Sequence, residues 1–412
     1  MGASVGKVQP NPADSKEPPP PAPVHVSSSY SNKKLSEFMA GALRFQGGPM
    51  RRPAKWARLP AGCDEVAVIE RQLLAYWNLE PPSAVVSLVG PESVEQVVGL
   101  EVSDAQALDD VLKANCPDLP LKEFRDGLRH AIESSKAWLV TDGVDCGTGG
   151  LLGRPGPRDT NDASTIIGIN SWSSIIGREK LAEARSGMCA MYEKNQNLSY
   201  ATVGETGWAS LQSQHGTFLL VDEKAGRRPA AELREKMERQ LNEKDLSGDG
   251  VKTPVLLVLV NGDEHSLRRV YEALLHEDPV LVVVGSGGAA DDIFKLDQWQ
   301  QQNKDRVGGG DSGMLGEHEH EEWLHPGPNK SASYMATARS LIPGILKHGA
   351  RTGANSSPQL AFFHFDSDAD DTPDFSNAIL KSLLDSCDVE QDNIMLAVQW
   401  GQPRILDSVL EQ

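Results

Sequence analysis

The chain has 412 residues, 39% hydrophobic and 24% charged, with a net charge of −18 at pH 7. This is the composition of a globular protein with a full apolar core, long enough for one large domain or two to three ordinary ones. Such acidity argues against a nucleic-acid surface and against contact with an anionic membrane, because phosphates would be repelled over most of the molecule. Local phosphate binding through backbone N–H groups stays open.

Residues 1–38 are rich in Pro, Ser and Lys ("NPADSKEPPPPAPVHVSSSYSNKK") and bury too little apolar surface to offset ordering, so they read as a disordered tail. From 39 to 298 the pattern alternates strand and helix. "DEVAVIERQLLAYWNL" sets Val66, Ile69, Leu73 and Trp77 at helical spacing after an Asp64 cap. "PPSAVVSLVG" is a buried strand closed by Gly90. "LKEFRDGLRHAIESS" places Phe124, Leu128, Ala131 and Ile132 on one helix face. "AWLVTDG", "STIIGINSW" and "GTFLLVDE" are further strands. "AAELREKMERQLNE" is a helix with Leu233, Met237 and Leu241 inward. "TPVLLVLVNGDE" and "PVLVVVGSGG" are strands joined by the helix "HSLRRVYEALLHE". Strands that are apolar throughout need both sheet faces covered, which predicts a Rossmann-like α/β fold: a parallel sheet with helices on both faces. Residues 299–335 lack periodicity and read as a flexible acidic, His-bearing linker. Residues 336–412 read as helical, the first helices of a repeat array with little left to pack against. The sequence therefore looks either truncated or ended by a docking surface.

Five cysteines, Cys63, Cys116, Cys146, Cys189 and Cys387, stand singly, with no C-x-x-C. An odd, scattered set reads as reduced thiols of a cytosolic protein. No apolar run approaches the ~18–20 residues of a membrane span, and residues 1–30 lack the apolar core expected of a secretory leader. Gly2 heads "MGASVG", but position 6 is glycine where an acylation signal has Ser or Thr.

In an open parallel sheet, ligands lie beyond the carboxyl ends of the strands. Here five strand ends carry small or polar residues: "TDGVDCGTGG", "NSWSS", "DEKAGRR", "NGDE" and "GSGGAADD". Glycines let backbone N–H groups approach a phosphate, and the following helix N-terminus adds a positive dipole. In the last of them, Gly285, Ser286, Gly287 and Gly288 lead into a helix whose start Asp291 caps or neutralises. A dehydrogenase fingerprint, a P-loop and a G-x-S-x-G elbow are all absent from the sequence. "GEHEHEEWLH" (His318, His320, His325) fits no zinc spacing. "DLSGDG" at 245–250 has Leu256 where a calcium loop has Glu, and "DSDADD" at 366–371 reads as a solvated loop. No metal site is expected.

As an ordered series, these stretches resemble the N-terminal region of the TRPM family of calcium-permeable cation channels. That region holds a SLOG (LSDAT) domain, a Rossmann-like nucleotide-sensing fold shared with LOG-type enzymes. The resemblance is carried by "GALRFQGG", "AKWARL", "LLAYWNLEPPSAVVSLVG", "AWLVTDGVDCG", "IGINSWSSIIGREKL", "HGTFLLVDE", "TPVLLVLVNGDEHSLRRV" and "PVLVVVGSGGAADDI", then "DFSNAILKSLLDS" and "IMLAVQWGQPRILDSVL". It covers Gly41–Ile293 and Asp374–Leu410. It implies a cytosolic ligand-sensing domain, with an ADP-ribose-like nucleotide as ligand and no other cofactor. It also implies a homo-oligomer or channel subunits if the chain is part of a longer one; alone, these residues conduct no ions. The ligand residues it implies are Gly143, Cys146 and Gly147 in the first turn, Trp172 after the second strand, and Asp222, Arg228 and Glu232 around the third. Gly285, Ser286, Gly287, Gly288 and Asp291 form the last turn.

Two departures bear on chemistry. Lys224, Ala225 and Ala230 stand where enzymatic relatives need tight glycine turns, which argues against LOG-type phosphoribohydrolase activity. Asp142 adds a negative charge where the family has glycine, beside a would-be phosphate. The expectation is a non-enzymatic sensor with no catalytic residue. Its alternatives are an N-glycosidic hydrolase using Glu232 as acid/base with Arg228 on phosphate, and a purely structural assembly domain.

Overall fold

The computed structural model describes residues 39–46, 53–91, 116, 118–145, 147–153, 164–184, 189–192, 209–225, 227–244, 252–303, 323–325, 330–350, 358–365, 374–384, 397–398 and 400. The expected tail, Cys146, His318, His320, the 245–250 and 366–371 loops and all of the expected last helix except 397–398 and 400 lie outside them.

Ten strands are described: β1 (Met39–Phe45), β2 (Ala54–Leu59), β3 (Val85–Val89), β4 (Trp138–Thr141), β5 (Thr165–Ser171), β6 (Cys189–Tyr192), β7 (Thr217–Val221), β8 (Val255–Val260), β9 (Val280–Val284) and β10 (Leu360–His364). They form one sheet in the order β10-β9-β8-β3-β4-β5-β7-β2-β1-β6. All neighbours from β10 to β2 run parallel, as do β1 and β6; only β1 and β2 are antiparallel. From β3 the chain steps outward through β4, β5 and β7, then returns to the other side of β3 as β8. The order therefore reverses between β3 and β8, and a crevice opens there at the carboxyl ends.

Helices cover both faces, which is why β3, β4, β7 and β8 are buried at every residue. They are α1 (Glu65–Ala67, continued as a π-helix through Val68–Tyr76), α2 (Leu121–Ser135), α3 (Arg178–Glu183), α4 (Pro229–Glu243), α5 (Glu264–Leu275), α6 (Gly288–Gln302), α7 (Ala332–Gly349) and α8 (Phe375–Leu384). Asp64 caps α1 through the Val66 and Ala67 N–H groups, and Asp263 caps α5 through those of His265 and Ser266. On one face, Leu233, Met237 and Leu241 of α4 meet Val85, Val140 and Ile167, and α5, α6 and α7 cover β8 and β9. On the other, Phe124, Leu128 and Ile132 of α2 and Ile379, Leu380 and Leu383 of α8 close over Val86, Leu88 and Val258. Each such side chain, fully buried, contributes about 1.5–3 kcal/mol. Among the described residues no helix is long and apolar enough to cross a membrane.

The structure departs from the sequence expectation in the last third of the chain. Leu360–His364 is a strand, β10, added parallel to β9 rather than part of a helical region. Its Phe362 faces Phe294 of α6 and its Phe363 faces Phe375 of α8, so both faces find partners. Within the expected linker, α6 continues to Gln302, Trp323 and Leu324 are buried in the core, and α7 starts at Ala332. The helix expected to have little to pack against, α8, docks on α2: Phe375 lies 5.2 Å from Phe124, and His130 Nδ1 is 2.8 Å from Ser376 Oγ.

One polar network ties α4, α5, β3 and β4 together. Glu238, 2% exposed, accepts from Ser87 Oγ at 2.5 Å, from Arg234 Nε at 3.0 Å and from Arg269. Arg234 also donates to the Leu88 and Val140 carbonyls at 2.8 and 2.9 Å. Burial works to raise the Glu238 pKa, but Arg269 and Arg234 outweigh it and hold the carboxyl below its ordinary range. Glu238→Gln leaves two half-buried guanidinium groups without their anion, at a cost of about 3–5 kcal/mol. Urea unfolding should show a lower midpoint with an unchanged slope; an unmoved midpoint contradicts this role.

Candidate functional site

The first turn follows β4, and its shape is set by one carboxylate. Asp142 Oδ1 accepts from the Gly149 and Val144 N–H groups at 2.8 and 3.1 Å, and Oδ2 accepts from the Thr148 N–H at 2.6 Å. The Thr148 and Gly149 N–H groups open the short 3₁₀ turn Thr148–Leu152. A Cβ on Gly147 would sit 1.7 Å from Asp142 Oδ2, so only glycine fits over the carboxylate. Gly143 has φ 74°, and a Cβ there would lie 2.6 Å from the Gly168 Cα of β5. The donors that a ligand phosphate would take are thus engaged by Asp142. Burial pushes the Asp142 pKa up, while the N–H bonds from Gly149, Val144 and Thr148 and the charge of Arg234 pull it down. Below it, Thr141 Oγ1 accepts from the Gly143 N–H at 2.9 Å and lies 2.7 Å from His215 Nε2. His215 is 2% exposed, and burial drives its pKa down to about 3. Its Nδ1 has no partner among the described residues.

Around β5 and β7, the expected ligand residues are joined by one that the sequence reading missed, Arg58 of β2. Trp172 is 9% exposed and stacks on Trp56, with centroids 5.9 Å apart and planes at 27°. Arg58 lies over the Trp172 ring, 5.0 Å from its centroid, and its Nε donates to Asp222 Oδ1 at 2.6 Å. Trp172 is therefore packed within the protein rather than open as a stacking platform. Ser171 and Ser173 both donate to Glu223. Glu232, in the first turn of α4, accepts from Arg227 Nε at 2.9 Å. Arg228 is the exposed residue that precedes α4; burial lowers its pKa, and nearby Asp263 and Glu264 at the start of α5 raise it.

The last turn is locked to its neighbour. The Gly285 N–H donates to Asp291 Oδ1 at 2.7 Å, and the Ala289 and Ala290 N–H groups donate to the Gly262 and Asn261 carbonyls at 3.0 and 2.9 Å. Ser286 Oγ donates to the Val283 carbonyl and accepts from the Asn261 N–H, at 2.6 and 2.7 Å. Gly287 and Gly288 have φ 89° and 54°, and a Cβ on Gly288 would meet Asn261 Oδ1 at 2.3 Å. Asn261 itself has φ 58° and donates through Nδ2 to Cys116 Sγ at 3.6 Å. Burial pushes the Cys116 thiol up to about 11, so it is no thiolate nucleophile.

The structure thus brings Gly285, Ser286, Gly287, Gly288 and Asp291 together with Asn261 and Gly262, and separately brings Trp172 and Asp222 together through Arg58. Four strand spacings lie between β9 and β5, roughly 19 Å at 4.8 Å per strand. Gly143 and Gly147 belong to a third, self-filled turn between them. Asn261 was signalled in the sequence by an Asn-Gly pair closing an apolar strand; Arg58, far from Trp172 in the chain, had no local signal.

A mostly parallel α/β sheet with polar strand ends along one rim defines a Rossmann-like module. Residues 119–307 match the family model described as SLOG in TRPM. Over those residues the chain is similar to a SLOG domain of the TRPM type. It is 27% identical over 383 residues to transient receptor potential cation channel subfamily M member 5 of Homo sapiens, covering 88% of this chain and 29% of that protein. It is 25% identical over 380 residues to member 4 of Rattus norvegicus, covering 87% of this chain and 27% of that protein. To member 2 of Rattus norvegicus it is 26% identical over 260 residues, covering 60% of this chain and 16% of that protein. The matched relatives are therefore several times longer than this chain.

Two outcomes follow from the first turn. Asp142→Asn replaces a charged acceptor with one amide oxygen and a donor that faces N–H groups; a loss of about 2–3 kcal/mol is expected. An unchanged melting temperature contradicts the bonding described. The folded pKa of His215 lies below its unfolded value of about 6.5, so the unfolded chain takes up the proton first and stability is lost as pH falls from about 6.5 toward 3. Between pH 7 and 5 the native chain should lose on the order of 2 kcal/mol more than His215→Gln, and parallel pH curves would rule this out.

Proposed function

We propose that this chain is a non-enzymatic, ligand-responsive module of a TRPM-type channel subunit. It works on the cytosolic side, binds an ADP-ribose-class nucleotide, and acts within an oligomer. The observation that supports it best is the arrangement of the rim. Five polar strand ends open on one edge of a parallel sheet, where ligands of such folds lie. Asp142 and Asp291 take the inner N–H groups there. The ligand's phosphates are left with Arg228 and with the Gly287 and Gly288 N–H groups at the start of α6. A ligand at these points biases a conformational equilibrium only by its differential affinity for the two states.

Several features favour sensing over catalysis. Glu232, the candidate acid/base, sits at the exposed start of α4 in an ion pair with Arg227. Lys224 and Ala225 occupy the loop in which the enzymatic relatives need glycines. A second reading, assembly without a ligand, is favoured by the Asp142 carboxylate, which already supplies the first turn with its anion.

The readings separate in a thermal-shift titration with ADP-ribose and AMP on the native chain and on Asp142→Gly. The sensor reading expects the melting temperature to rise with ADP-ribose, approaching the equivalent of about 2.7 kcal/mol at a hundredfold excess over Kd. It expects a larger rise for Asp142→Gly, whose first turn is open, and no hydrolysis product by chromatography. No shift in either protein at millimolar nucleotide leaves the assembly reading; hydrolysis lost on Glu232→Ala would make the chain an enzyme.

A further inference from the structure

We infer that the nucleobase of the ligand stacks on the outer face of the Arg58 guanidinium, not on Trp172. This rests on the nucleotide reading above and names the part of the rim that reads the base.

Trp172, a ligand residue implied by the resemblance, is 9% exposed, stacks on Trp56 and has the Arg58 guanidinium over its ring, 5.0 Å from the centroid. The group on this ring is a planar cation. A guanidinium over an aromatic ring is itself a planar group with two faces, and arginine planes stack on nucleobases as aromatic rings do. Arg58 keeps 28% of its side chain open to solvent, while Asp222, bonded to its Nε at 2.6 Å, fixes the plane. An unpinned arginine would lose rotamer freedom on stacking; here that ordering is already supplied by the ion pair and the indole.

The location fits a ligand. Arg58 is the second-last residue of β2, Trp172 directly follows β5, and Asp222 directly follows β7. These strands are parallel, so all three residues stand at the carboxyl rim. Beside them Ser171, Ser173 and Glu223 form a small hydroxyl and carboxylate group on the same strand ends, suited to a ribose diol or to the amino edge of a base. Asp222 and Glu223 repel a second phosphate at this end, and the chain's charge of −18 disfavours a polymer. The chemistry is that of a nucleoside moiety, with its phosphates directed toward Arg228 and away from this pair of acids.

Adenosine, which has no phosphate, is the probe. Calorimetric titration should show binding to the native chain, weakened at least about fivefold in Arg58→Lys, which keeps the charge and removes the plane. Asp222→Asn, which frees the guanidinium, should fall between the two. In the native protein, which needs no folded variant, intermolecular NOEs should connect the Arg58 side chain with adenosine H2 or H8. Equal affinity of native and Arg58→Lys, or NOEs that bypass Arg58, overturn the platform. So does an absence of adenosine binding, and so does a single-stranded oligonucleotide that binds more tightly than adenosine. Parallel titrations with ADP-ribose sort the failures. ADP-ribose bound equally by native and Arg58→Lys removes the platform and leaves the nucleotide reading; no ADP-ribose binding removes both.

Discussion

The shape of the rim at the carboxyl ends of the strands depends on the seating of one carboxylate. A buried carboxylate is costly unless donors surround it, and Asp142 meets the N–H groups of Val144, Thr148 and Gly149. Those groups converge because the chain turns sharply after β4, and Gly143 and Gly147 let it do so without a Cβ in the way. In a turn with glycine at this position the same donors would face outward for a phosphate. Asp142 makes the chain its own ligand, and the turn keeps its form whether or not a nucleotide is present. Asp291 does the same at the last turn, where its carboxylate takes the Gly285 N–H while the start of α6 is tied to the Asn261–Gly262 carbonyls.

Once backbone donors are engaged, selectivity shifts to side chains. Arg228 stands at the start of α4 in the field of Asp263 and Glu264. Arg58 closes the Trp56–Trp172 stack and is pinned by Asp222. Beneath the rim the frame is stiff. Glu238 locks α4 and α5 to β3, and α8 is clasped to α2. Under the sensor reading, a ligand at the rim would act through local rearrangements of loops above a sheet whose helices are held by buried charge and aromatic packing.

Most of the fold was legible in the sequence, because its central strands are continuous apolar runs and helices such as α1, α4 and α5 begin at Asp caps or Pro229. The rim was legible as a series of glycine and polar strand ends. What escaped depends on distance along the chain. β10 reads as part of a helical region because nothing local marks it; it becomes a strand only because the β9 edge, Phe294 and Phe375 are there to meet it. Trp323 and Leu324 lie in an acidic, glycine-rich stretch, and their burial against the α5–α7 face comes from tertiary packing. Trp172 reads as a ligand residue implied by the resemblance; that β2, more than a hundred residues earlier, brings Arg58 over it has no local mark. The extra charge of Asp142 was visible, but its destination, three N–H groups up to seven residues ahead, was a matter of turn geometry.

The first turn is closed by its own carboxylate, which leaves Arg228, Arg58 and the Gly287 and Gly288 N–H groups to meet a ligand. Amide chemical shifts followed during an ADP-ribose titration of the native chain test it most directly. The account predicts saturable shifts at Gly287, Gly288, Arg228 and Ser171–Ser173, with Val144, Thr148 and Gly149 unmoved. Saturable shifts at Thr148 and Gly149 would show a phosphate displacing Asp142, and would contradict it.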